Sequence, residues 1–115
     1  MKETGILIQK GLETPKVKED KMAWGAVREG DVVAANVVGL ALIGRVGPDK
    51  AVALFDEAYS ITDAEGEEKD PAPKEIYEAI GLSREQCEDL VMAHFTRTAR
   101  DIAEQLVQGR EMAFD

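Results

Sequence analysis

The chain of 115 residues has one cysteine, one histidine, one tryptophan, two tyrosines and three phenylalanines. Each scarcity excludes something. A lone Cys87 cannot close an intramolecular disulfide, and that fits a reducing compartment. One cysteine and one histidine fall short of the three or four ligands a zinc site needs. Asp101 is the only further candidate on the helical line through Cys87 and His94. No metal and no cofactor are therefore expected. A Cys–His nucleophilic pair needs direct contact, and seven residues of helix separate the two by about 10 Å. Trp24, Tyr59, Tyr77, Phe95 and Phe114 are too scattered for a base-stacking platform. No catalytic set emerges, so an enzyme is not expected.

Long apolar runs are also lacking. Residues 32–44, "VVAANVVGLALIG", carry no charge, and only Asn36 is polar. The run stops at Arg45, short of the roughly 20 residues that span a bilayer. The opening "MKETGILIQKGLETPK" has neither the apolar length nor the cleavage site of a secretory leader. A cytoplasmic protein that neither spans nor binds membrane is expected. Gly39 and Gly44 have the spacing of a phosphate loop, but Arg45 and Val46 stand where the lysine and hydroxyl residue belong. The dinucleotide fingerprint fails as well, because Leu42 occupies the place of its first glycine. What remains is a buried wall. The residues predict a helix over about 34–44, entered from a short strand. Ala35, Gly39 and Ile43 share one face, and small residues there let another helix come close.

Charge is present and uneven. The net charge is −9. Residues 1–50 hold 8 Lys/Arg against 7 Asp/Glu, and residues 51–115 hold 6 against 16. The C-terminal half therefore carries the acidity. Such a surface repels nucleic acid and anionic lipid, stays soluble, and attracts a basic protein partner.

Along the chain, 5–13 reads as a short helix and 14–21 as a polar connector. A small β-hairpin is expected near 22–33, with Gly30 at a turn position. "GPDKAVALFDEAYS" starts a helix at Pro48 and Asp49, with Ala51, Leu54, Phe55 and Ala58 as its apolar stripe. The acidic stretch 61–73 is a linker. Its one glycine falls at the wrong place for a calcium loop, and Lys74 stands where the bidentate glutamate belongs. "PKEIYEAIG" is a short helix closed by Gly81. Ser83 and Gln86 form a capping box. From there Cys87, Leu90, Val91, His94, Phe95, Thr98, Ile102 and Leu106 keep helical spacing, which predicts one long amphipathic helix over 84–108.

"EIYEAIGLSREQCEDL" resembles the helix-turn-helix of bacterial transcription factors, in the form of sigma-factor region four. Ile76, Gly81, Leu82, Ser83 and Cys87 fall on its apolar, turn, cap and buried positions. Tyr77 departs from it where alanine is usual. The would-be recognition helix also carries Glu85, Glu88 and Asp89 against Arg84. A second likeness spans more of the chain. "GDVVAANVVGLALIG" followed by "LSREQCEDLV" resembles small uncharacterised bacterial and phage proteins with a helix-turn-helix-like C-terminal segment. That likeness implies an accessory or regulatory role.

The sequence thus predicts a mostly α fold, or α+β if the hairpin is substantial. One helical domain covers 1–109 and a frayed tail covers 110–115. The small-residue helix is expected to pack on the long one. The expected function is a non-enzymatic interaction or regulatory module. The alternatives are a DNA-binding regulator using 75–96 and an acidic inhibitor that mimics nucleic acid. A homodimer is expected through an apolar stripe of Ile102 and Leu106, continued by Met112 and Phe114 in the tail.

Overall fold

The element that organises the fold is the uncharged run itself. In the computed structural model, which describes residues 1–65 and 74–109, it splits into strand β3 (Val32–Ala35) and helix α2 (Val37–Val46). Asn36 makes the switch. Its side-chain oxygen accepts the Gly39 N–H at 2.9 Å and caps the helix. The β-branched pair Val32–Val33 stays extended, whereas Val37–Val38 enters the helix despite the same local preference. Burial outweighs propensity there. Every residue from Val37 to Ile43 is buried, as an all-apolar helix requires.

Around α2 lie α1 (Lys2–Glu13), α3 (Pro48–Glu65), α4 (Lys74–Ala79), α5 (Arg84–His94) and α6 (Ala99–Val107), with strands β1 (Val17–Glu19) and β2 (Ala26–Glu29). The architecture is mostly α with a small three-stranded sheet. β3 is central, antiparallel to β2 and parallel to β1. The β2–β3 pair is the expected hairpin. Glu29 pairs with Val32 across the turn, where Gly30 takes φ +64°. β1 lies in the stretch that reads as a connector. Three residues with one half-buried valine give too little alternation to announce a strand.

Helix α2 sits unusually close to its neighbours, because its glycines meet main chain rather than side chains. A Cβ on Gly44 would overlap the Leu7 carbonyl of α1, and one on Gly11 of α1 would overlap the Leu40 carbonyl of α2. The two helices therefore exchange a glycine for a carbonyl twice along their crossing. Gly39 lies in the same way against the Gly25 carbonyl. The small-residue helix thus finds its closest helical partner in α1, not in a long C-terminal helix. Gly39 faces a loop. Trp24 and Phe55 close that end of the core edge to face, 5.4 Å between centroids.

The single long helix over 84–108 is corrected to two. α5 ends at His94, and α6 restarts at Ala99 behind a second cap, Thr98, whose hydroxyl accepts the Asp101 N–H at 3.1 Å. The apolar spacing runs unbroken through the joint because both helices face one core. Phe95, placed in that core by its spacing, stands in the joint and is exposed instead. The residues predicted as a dimer stripe are also relocated. Ile102 and Leu106 are fully buried, on the α6 face where Gly5 of α1 approaches the Ala103 carbonyl and the Leu106 side chain. Each contributes about 2–3 kcal/mol by leaving water within its own chain. The expected interface has therefore lost its exposed residues among those described. Met112 and Phe114 lie outside the described residues, as does 66–73 of the linker, whose first residues continue α3 to Glu65.

Candidate functional site

The α5–α6 joint sits on a polar junction that links four elements. His94, the last residue of α5, is buried. Its Nδ1 accepts the backbone N–H of Val37, the first residue of α2, at 3.2 Å. Nδ1 must then carry the lone pair, which puts the ring proton on Nε2. Nε2 donates to Oε2 of Glu19, at the end of β1, at 2.7 Å. The same carboxylate oxygen accepts the N–H of Ala99, the first residue of α6, at 2.9 Å. The imidazole thus caps one helix and the carboxylate caps another. A negative group at the N-terminus of α6 is also favoured by the helix dipole. No buried side-chain nitrogen or oxygen among the described residues lacks a partner.

This geometry limits the chemistry. A histidine acting as general base needs one nitrogen free to face substrate. Both nitrogens of His94 are committed to protein atoms. Cys87 is buried in the α5 face that meets the core, and desolvation pushes its thiol up to about 12, with a smaller contribution from Glu88. It remains a protonated thiol near neutral pH and is a poor nucleophile. Among the described residues no group of histidine, cysteine and carboxylate side chains could hold a metal, and Asp101, the third candidate ligand, is exposed on α6.

Above the junction a cleft of about 530 Å³ opens between the β1–β2 loop and the α5–α6 joint. Glu19 and His94 form part of its wall, with Asp20, Lys21 and Met22 on one side and Phe95, Thr96, Arg97 and Thr98 on the other. The loops are tied across it by the Lys21 ammonium, which donates to the Phe95 carbonyl at 3.5 Å. Arg97 donates to Gln105 of α6 at 2.8 Å. Two large apolar side chains on this cleft face water, Met22 at 75% exposure and Phe95 at 43%. Met92, one turn before Phe95 on α5, is 64% exposed. Exposed apolar side chains gathered at one cleft are a recognised mark of a binding surface.

Sequence reasoning placed Phe95 inside and left Met22 and Met92 without a role. Met92 could have been found, since it falls on the Glu85–Asp89 line of α5, the polar face. Met22 carries no such signal. Helices α4 and α5 follow one another across a short turn. Gly81 stands in it at φ +73°, and Ser83 caps α5 in a complete capping box with Gln86. The outward side of α5 carries Glu85, Glu88 and Asp89. Among the described residues, no helix is long and apolar enough to cross a membrane.

No protein-family model, curated protein or solved structure matches the chain.

Proposed function

We propose that the chain is a non-enzymatic interaction module that docks a partner protein in the cleft between the β1–β2 loop and the α5–α6 joint. One observation carries this reading. Met22 and Phe95 expose apolar surface on opposite sides of a cleft whose floor is pinned by the His94–Glu19 junction. A fixed floor under soft apolar anchors is suited to binding, because little order remains to be gained when a partner arrives. The fully used imidazole and the protonated thiol support binding over catalysis. The carboxylates on the outer side of α5 favour a protein partner over DNA, since they would face phosphates.

The test is a photo-crosslinking residue placed at Phe95. The expected result is one discrete adduct, identified by mass spectrometry and lost when Met22→Gln is added. An adduct at twice the chain's mass would make a second copy of the chain the occupant. Equal labelling from a remote exposed site such as Asp31 would reject the cleft.

A further inference from the structure

We infer that the occupant of this cleft is a basic amphipathic helical segment of the partner protein. The inference rests on the interaction reading above and adds the chemistry of the partner. It starts from the outer face of α5. At 100° per residue, Glu85, Glu88, Asp89 and Met92 point to the same side, with Phe95 following at the end of the helix. Glu85, Asp89, Met92 and Phe95 are exposed and Glu88 is half-buried. Cys87, Leu90, Ala93 and His94 fill the opposite side. The exposed face therefore changes character along its length. It is acidic for its first two turns and apolar at its end, where it runs into the cleft with Met22.

Two of the three carboxylates on this face stand without an ion-pair partner among the described residues. Arg84 donates to Glu88 at 3.2 Å and offsets one carboxylate. Glu85 and Asp89 make no ion pair among the described residues. The cleft lining itself holds two cations, Lys21 and Arg97, against two carboxylates, Glu19 and Asp20, so the excess negative charge lies beside it on α5, at Glu85 and Asp89. A docking segment thus meets apolar anchors first. It then meets negative charge about 4.5 Å away at Asp89 and about 10.5 Å away at Glu85, measured along the axis. A helix with apolar residues on one face and Lys or Arg one to two turns beyond them matches both features. An acidic or neutral segment leaves the carboxylates of α5 unmatched. The methionines favour such a partner further, since flexible thioether side chains adapt to a helix surface without a fixed pocket.

The test uses two dye-labelled 18-residue peptides of helical periodicity, one of Leu and Lys, the other of Leu and Glu. Binding to the intact chain is read by fluorescence anisotropy. The Leu/Lys peptide is expected to bind. Its affinity should fall about tenfold or more in Met92→Gln/Phe95→Gln, as for exposed apolar anchors at an interface. It should fall several-fold in Glu85→Gln/Asp89→Asn, and the charge-dependent part should shrink at high salt. All four positions lie at the surface, and circular dichroism verifies that the variants stay folded. If the Leu/Glu peptide binds equally and through Met92 and Phe95, the basic preference is overturned and the docking cleft stands. If the Leu/Lys peptide binds Met92→Gln/Phe95→Gln as tightly as the parent chain, attraction is diffuse and both readings fall. Loss of peptide binding as the chain self-associates through the same residues would overturn the basic partner in favour of a second copy.

Discussion

The α1–α2 crossing and the His94 junction are both buried, yet they are built on opposite principles. At the crossing, glycines lie against carbonyl groups and no side chain intervenes. Its side-chain polar link lies at the surface, where Arg45 of α2 donates to Glu3 of α1 at 2.9 Å, and at the glycines there is no room for one added carbon. At the junction, the elements are held apart by side chains and joined by hydrogen bonds between Val37, His94, Glu19 and Ala99. The difference teaches where this molecule can carry function. The crossing specifies shape and tolerates no change. The junction specifies positions, and the loops above it present Met22 and Phe95 to solvent.

Substitutions can break this contrast, and the largest effect is expected at the crossing. Gly→Ala in an exposed helix gains about 1 kcal/mol. Gly44→Ala and Gly11→Ala should show the opposite sign and lose about 3 kcal/mol or more, because each Cβ meets a carbonyl that belongs to a packed helix. Urea denaturation measures it. A neutral or stabilised Gly44→Ala would mean that the helices are further apart than described.

Next in size are truncations that leave a hole or an orphan. Leu106→Ala should cost about 3 kcal/mol as a core cavity. His94→Ala should cost about 2–3 kcal/mol, because it leaves the Val37 N–H unsatisfied and removes a partner of Glu19. Glu19→Gln retains an acceptor for Ala99 and should cost clearly less than Glu19→Ala. Equal losses for the two Glu19 variants would show that the carboxylate contributes by packing alone.

Cys87 offers a smaller effect that depends on pH. Its thiol is raised to about 12 in the folded chain, against roughly 8.5 when unfolded. Below the unfolded value both states hold the proton and stability is unaffected. Above it the unfolded chain releases the proton while the folded chain keeps it. Stability is therefore lost as pH rises from about 9 towards 12. Cys87→Ala should flatten that part of the pH profile. An unchanged slope would assign the loss to other groups.

The smallest effect separates surface from core. Phe95→Ser and Met92→Gln should change unfolding free energy by less than about 0.5 kcal/mol, as exposed positions do. A loss of several kcal/mol for Phe95→Ser would return it to the core, where its spacing had placed it.

That spacing explains how much of the molecule was legible. The helical class, the hairpin at Gly30, a strand leading into a helix and the Ser83–Gln86 cap follow from local chemistry. The residues predict that helix from about Ala34, however, whereas Ala34 and Ala35 stay in β3 and Asn36 caps α2. The break between α5 and α6 does not follow from local chemistry. The apolar period from Cys87 to Leu106 continues across it, and its cause includes a carboxylate 80 residues away, Glu19 on Ala99. The partner of α2 was hidden for a related reason. Gly39 and Gly44 announce a close approach, but they do not say to what. The exposed stripe expected at Ile102 and Leu106 vanished because α1 covers it. The exposure of Met22 and Phe95 was missed because both stand in loops, where periodicity says nothing about exposure.

The most direct test of a rigid glycine-packed core beneath an open docking cleft is an amide chemical-shift titration of the chain with the Leu/Lys peptide. The account predicts saturable shifts at Asp20–Met22 and Met92–Thr98 and along the outer face of α5, while Leu7, Gly11, Leu40 and Gly44 stay silent. Shifts centred on the α1–α2 crossing, or spread evenly over every acidic residue, would contradict it.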